Sequence, residues 1–124
     1  MEELSKSEEK LMKLLWKKPL SYMKDLLAGY EEPIPAPTSL ATLLMRMRNK
    51  GFVDYEKHGS VRAYFPLVSK ANYFKKQLGE LIENHFENSA SQFASFFTKE
   101  IKLTDQQLQE LKDIIDQQLN SEET

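Results

Sequence analysis

From Pro37 to Gly51 the chain reads PTSLATLLMRMRNKG, a stretch whose residue types and spacing could do recognition chemistry. At about 100° per residue, Leu40, Leu43, Leu44 and Met47 share one face of a helix. Thr38, Ala41, Thr42, Met45 and Asn49 share the opposite face, with Ser39, Arg46 and Lys50 on one shoulder and Arg48 on the other. A solvated helix face ordinarily carries Lys and Glu at its centre. This one carries small hydroxyl and methyl groups flanked by cations, which suits a deep, negatively charged groove. Thr38, Ser39, Ala41, Thr42 and Met45 could touch base edges and thymine methyls, while Arg46, Arg48 and Lys50 reach phosphates or guanine. The plainer alternative, for this stretch alone, is a core helix with a modestly polar outside.

Enzymatic chemistry finds no comparable support. The two histidines, His58 and His85, have no partner at catalytic or metal-ligand spacing. No Gly-rich phosphate loop is present, and the acids spread over helix faces where water solvates them. There is no cysteine, which removes disulfides, thiolate metal sites and cysteine nucleophiles and fits a reducing cytosol. The expectation is a cytoplasmic protein that is not an enzyme and carries neither cofactor nor metal.

The elements that must position the recognition stretch can be read along the chain. Residues 5–18 form a helix opened by a Ser5/Glu8 capping pattern and closed by Pro19; Trp16 belongs to its core side. A short helix runs from Ser21, as N-cap, to Ala28, and Gly29 stops it. Pro33, Pro35 and Pro37 make a stiff connection that delivers the next helix at a set angle. After Gly51 come two alternating runs, residues 52–57 and 61–65, joined through His58, Gly59 and Ser60, with Gly59 supplying the positive φ of a tight turn. Helix, helix, turn, helix, hairpin is the order of a winged helix-turn-helix. Lys57, His58, Ser60 and Arg62 gather near the hairpin tip, where phosphate contacts belong. The hairpin must pack on the helices through Val53, Tyr55, Tyr64 or Phe65, because an isolated pair of strands is marginal in water.

The charge supports this division. The 124 residues carry a net charge of −2, yet residues 34–76 hold eight Lys/Arg against two acids and residues 77–124 hold three Lys against ten acids. A basic middle and an acidic tail suit a nucleic-acid module joined to a self-associating segment. The first ten residues are charged and do not read as a signal peptide, and no run approaches the roughly 18 apolar residues of a membrane helix, so no membrane insertion is expected. Three further helices follow the hairpin. The first is capped by Ser69 and carries Leu78, Leu81, Ile82, His85 and Phe86; the second starts at Ser89 with Phe93, Phe96 and Phe97. The third opens on a Thr104/Gln107 capping box, carries Leu108, Leu111, Ile114 and Ile115, and frays from Asn120. Their stripes lack a body to pack on, so a second copy of the chain is the economical partner. His85 is a packed or a pH-responsive group near that interface. The fold class is thus mainly α with a small β-hairpin: a DNA-binding winged helix-turn-helix over residues 1–68, then a helical dimerisation region over residues 69–124.

The ordered set Leu15-Trp16, Ser39-x-x-Thr42-x-Leu44-x-Arg46-Met47-x-x-Lys50-Gly51-Phe52, Arg62-x-Tyr64-x-Pro66-Leu67-Val68-Ser69 and Leu103-Thr104-x-x-Gln107-Leu108-x-x-Leu111 resembles the penicillinase-repressor family. The resemblance covers about residues 4–119. It implies a homodimeric repressor on a palindromic double-stranded DNA operator, with the third helix of each subunit in successive major grooves. It also implies relief of repression through a membrane sensor and proteolysis at an Asn-Phe bond in the C-terminal segment, where this chain has Ser95-Phe96-Phe97. Copper-responsive relatives use a C-terminal cysteine pair that is absent here. The rival from another class is a winged-helix protein-interaction module without DNA binding. A small-ligand sensor in a dimer cleft is compatible with the repressor.

Overall fold

Helix α1, Lys6–Lys17, begins where Ser5 and Glu8 cap each other: the Glu8 N–H donates to Ser5 Oγ at 3.2 Å and the Ser5 N–H to Glu8 Oε1 at 2.9 Å. The structure, a computed structural model, describes residues 3–122. Among them α1 is followed by α2 (Met23–Ala28), α3 (Pro37–Asn49), β1 (Val53–His58), β2 (Val61–Pro66), α4 (Lys70–His85), α5 (Ala90–Glu100) and α6 (Asp105–Glu122). No helix among the described residues is long and apolar enough to cross a membrane.

Two compact units divide the chain, Met1–Lys75 and Lys76–Thr124. In the first, α1 turns Leu11, Met12 and Leu15 inward, α2 contributes Leu26, and α3 contributes Leu40, Leu44 and Met47, all at most 1% exposed. Helical periodicity assigns these three α3 positions and Leu43 to the core; Leu43 is only half-buried. Proline at the first helical position of α3 needs no N–H donor there. At its other end Gly51, at φ +86°, lets the chain reverse, with its N–H on Arg48 O at 3.0 Å and the Phe52 N–H on Met47 O at 2.9 Å. This paired closure sends the chain directly from α3 into β1 with Phe52 and Val53 buried.

β1 and β2 pair antiparallel, Tyr55 opposite Tyr64, Lys57 opposite Arg62 and His58 opposite Val61, around a tip of Gly59 and Ser60. Gly59 takes φ +67°, as a two-residue turn of this hand requires. Val53 and Tyr64 are buried on one face of the hairpin and Ala63 on the other, with Tyr55 and Phe65 only half-covered. Ser21, expected as the N-cap of α2, does something else: its backbone exchanges two hydrogen bonds with Tyr64, at 2.9 and 2.8 Å, and its hydroxyl donates to Lys18 O at 2.7 Å. Tyr22 is the N-cap, its N–H donating to Asp25 Oδ2 at 2.8 Å. The hairpin is thus tied to the α1–α2 link by main chain as well as by packing. The unit also takes in the start of α4, where Tyr73 and Phe74 meet the Trp16 ring at 5.5 and 5.8 Å and the indole N–H donates to Val68 O at 2.8 Å.

In the second unit Ser89 caps α5 by accepting the Gln92 N–H at 3.1 Å, and Thr104 and Gln107 cap α6 reciprocally at 3.1 and 2.9 Å. α6 continues to Glu122, beyond the Asn120 at which fraying is expected; its charged and amide side chains bridge successive turns, Gln109 to Asp113 and Lys112 to Asp116 among them.

One charged group lies inside the first unit. Glu8 is 2% exposed, and Lys50 Nζ sits 2.7 Å from its Oε1 and 3.0 Å from Glu3 O. Burial pushes the Glu8 carboxyl up, but the hydrogen bonds from Lys50 and Ser5 outweigh it and leave the group below its ordinary value of 4.5. The folded chain therefore releases this proton more readily than the unfolded chain. Its contribution to stability is complete above about pH 4.5 and is lost as pH falls further. Lys50→Met, which strands the carboxylate, is expected to cost about 3–5 kcal/mol at neutral pH. Most of that loss should return in the Glu8→Gln/Lys50→Met double variant, and the double variant should show a flatter acid limb in urea melts taken across pH.

Candidate nucleic-acid interface

With Leu40, Leu44 and Met47 turned inward, the opposite side of α3 faces out. Thr38, Ser39, Ala41, Thr42, Met45, Arg46 and Arg48 are all exposed, Met45 at 64%. Thr42, exposed on this face, donates its hydroxyl to Thr38 O at 3.1 Å, which occupies that proton within the helix. The face therefore presents methyls and short chains at its centre with guanidinium groups at its edge.

The hairpin supplies the second half. Between α3 and the strands lies a recess of about 260 Å³ whose lining includes Ala41, Thr42, Met45, Arg48, Tyr55 and Arg62. Arg48 donates Nε–H to Asp54 Oδ1 at 2.8 Å, and its guanidinium carbon lies 4.9 Å from the Tyr55 ring centre. Arg62 lies over the same ring at 4.3 Å. The hydrogen bond from Arg48, with another from the Tyr55 N–H, holds Asp54 below the usual carboxylate range, and Asp54 in turn raises Arg48. Both groups therefore stay charged at any physiological pH.

The remaining expected contact residues divide. Lys57 and Ser60 are exposed at the tip, and Arg46 and Lys57 form no ion pair with another described residue. His58 is exposed but occupied: its Nδ1 meets the Tyr22 hydroxyl and its Nε2 meets Glu56, both at 2.7 Å. Lys50 departs from expectation. Its ammonium turns away from the outer face of α3 and is engaged by Glu8. Helical spacing put it on a shoulder; its place at the C-cap, where the helix has already ended, swung it inward. Asp54 and Tyr55 were not among the expected contact residues. The strand register held the signal, since Tyr55 and Arg62 are diagonal neighbours on one face once the tip is centred on Gly59 and Ser60.

In the second unit, Leu78, Leu81, Phe96, Leu108, Ile114 and Ile115 are exposed, while Ile82, Phe86, Phe93, Phe97 and Leu111 are half-covered. The covering is local: Phe86 meets Phe93 and Phe96 at 5.5 and 5.4 Å, and Phe93 stacks on Phe97 at 5.9 Å. Among the described residues of α5 and α6 none is buried.

A family model described as "Penicillinase repressor" matches residues 4–117. The chain belongs to the penicillinase repressor family. This is a family of repressors and not of enzymes. The methicillin resistance regulatory protein MecI of Staphylococcus aureus (strain N315) is 22% identical over 114 residues, covering 91% of this chain and 93% of the relative. The penicillinase repressor of Bacillus licheniformis is 20% identical over 119 residues, covering 95% and 93%. The solution structure of the DNA-binding domain of the repressor BlaI superposes with a TM-score of 0.50 at 25% identity, covering 57% of this chain and 88% of that domain. The winged helix-turn-helix reading of the fold is thereby shown.

Arg46 and Lys50, expected on the same shoulder of α3, separate in a simple experiment. Arg46→Gln should weaken binding to duplex DNA and lower the salt slope by about one, with thermal stability unchanged. Lys50→Gln should lower the melting temperature and, at temperatures where the variant is folded, leave the salt slope as it is.

Proposed function

We propose that this member of the penicillinase repressor family binds double-stranded DNA as a homodimer on a palindromic operator, with α3 of each protomer in successive major grooves. The observation that carries the reading is the outer face of α3: methyl and hydroxyl groups at its centre, cations at its rim, and a basic hairpin tip beside it. Thr38, Ser39, Ala41, Thr42 and Met45 read base edges. Arg46, Arg48, Lys57, Ser60 and Arg62 hold the backbone, joined at the tip by His58. Lys50 supports the position of α3 from within.

The dimer rests on a separate argument. Leu78, Leu81 and Phe96, with Leu108, Ile114 and Ile115, leave apolar stripes open to water, and helices of this length gain little from backbone propensity alone. A second copy covering the same stripes would fulfil both needs, and a two-fold axis would set the two α3 helices about 34 Å apart, one turn of duplex. The family resemblance drawn from the sequence further implies relief through a membrane sensor or protease acting on the C-terminal segment of a cytoplasmic dimer. The bond between Phe96 and Phe97 lies inside α5, so cleavage there would require that helix to open first.

Selection of bound fragments from genomic DNA gives the operator, and sedimentation gives the stoichiometry. Thr42→Phe should then lose discrimination between operator and random duplex while retaining weak, salt-sensitive binding. Arg62→Ala should weaken both duplexes alike and reduce the salt slope by roughly one. Identical behaviour of the two variants would remove the division between readers and anchors. A chain that sediments as a monomer at operator-binding concentrations would remove the dimer.

A further inference from the structure

The recess between α3 and the hairpin contains more than the cations already assigned to the backbone. Tyr55 stands in it, half-buried and backed by the Tyr64 ring at 5.7 Å. Arg48 comes to it from α3 and Arg62 from β2, with guanidinium carbons 4.9 and 4.3 Å from the ring centre. Two like charges gathered on one ring repel each other. The Tyr55 ring, together with Asp54 on Arg48, offsets part of that repulsion, and a further anion would offset more. Asp54 takes only the Nε–H of Arg48, which leaves its terminal amino groups free of that bond, and Arg62 forms no ion pair with another described residue. The remaining walls are Ala41, Thr42, Leu44, Met45 and the Tyr64 ring, none of them a carboxylate, which leaves those donors uncontested at the mouth.

We infer that Tyr55 is a positioning residue that holds Arg48 and Arg62 as a two-guanidinium clamp for a single phosphate of the duplex backbone, where α3 meets the hairpin. The inference rests on the DNA-binding reading above and deepens it. Stacking on an aromatic face restricts each arginine before DNA arrives, so less side-chain freedom is lost on binding, and each planar guanidinium can offer paired donors to phosphate oxygens. The ring is needed and the hydroxyl is not: Phe serves and Leu does not.

The test uses the full chain and a random-sequence duplex titrated across salt concentration. Tyr55→Phe should bind within about twofold of wild type, whereas Tyr55→Leu should bind about tenfold more weakly, with a salt slope lower by about one. Added to an Arg48→Gln/Arg62→Gln background, Tyr55→Leu should cost less than about twofold more, because the groups it positions are gone. Melting curves identify any variant that fails to fold. Independently of folding variants, the side-chain NMR signals of Arg48 and Arg62 in DNA-free wild type should show upfield ring-current shifts. Wild-type-like binding by Tyr55→Leu, an undiminished loss in the glutamine background, or absence of the ring-current shifts would each overturn the clamp. A wild-type chain that fails to retard the duplex at all overturns the DNA-binding reading itself, an outcome separable from a loss confined to the Tyr55 variants.

Discussion

The constraint on which the first unit depends is the rotation of α3 about its own axis. Leu40, Leu44 and Met47 meet Leu11, Met12 and Leu15 in one dry cluster. Each such side chain contributes about 1.5–3 kcal/mol by leaving water. Rolling the helix by one residue's angle would turn Leu40 out of the cluster and push Arg48 or Arg46 towards it. The outer face is therefore determined by the inner one, and the composition of the outer face is released from any duty to the core. That freedom is what allows methyls, hydroxyls and a bare methionine to occupy a surface that charge would otherwise hold.

Two further ties make the α3 direction useful. The Gly51 closure launches β1 from the last turn of α3, so the hairpin cannot drift relative to that helix. The Ser21–Tyr64 bridge fastens the other strand to the link between α1 and α2. Lys50 adds a third tie from the side, joining the end of α3 to the first turn of α1 through Glu8. The basic groups of this region thus do unlike jobs according to depth. Lys50 offsets a buried carboxylate, Arg48 is shared between Asp54 and a ring, and Arg46 stands free in solvent. Net charge alone does not distinguish them.

Much of this was legible in the residue pattern, and what was not has a common cause. The helices and the hairpin announce themselves through local signals: the Ser5/Glu8 and Thr104/Gln107 caps, the 3.6-residue recurrence of Leu40, Leu44 and Met47, the turn glycine at position 59. The face of α3 that turns outward follows from the same recurrence. The Ser21–Tyr64 bridge, the Lys50–Glu8 pair and the approach of Arg62 to Tyr55 were not legible there, because these partners lie 43, 42 and 7 positions apart in the chain. A serine before a short helix is a reasonable cap until a strand arrives beside it. A lysine at a helix end is a reasonable anchor until a buried glutamate claims it. Such pairings are decided by tertiary approach, on which local propensity is silent.

The single tryptophan carries a practical consequence. Trp16 and all five tyrosines lie in the first seventy-three positions, and Trp16 is held by Val68 and by the rings of Tyr73 and Phe74. The helices from Lys76 onward contain phenylalanine as their only aromatic residue. Near-ultraviolet emission consequently belongs to one part of the molecule, while far-ultraviolet dichroism sums over both. Without any introduced label, the chain carries an optical partition that can tell whether its two parts melt together or one after the other.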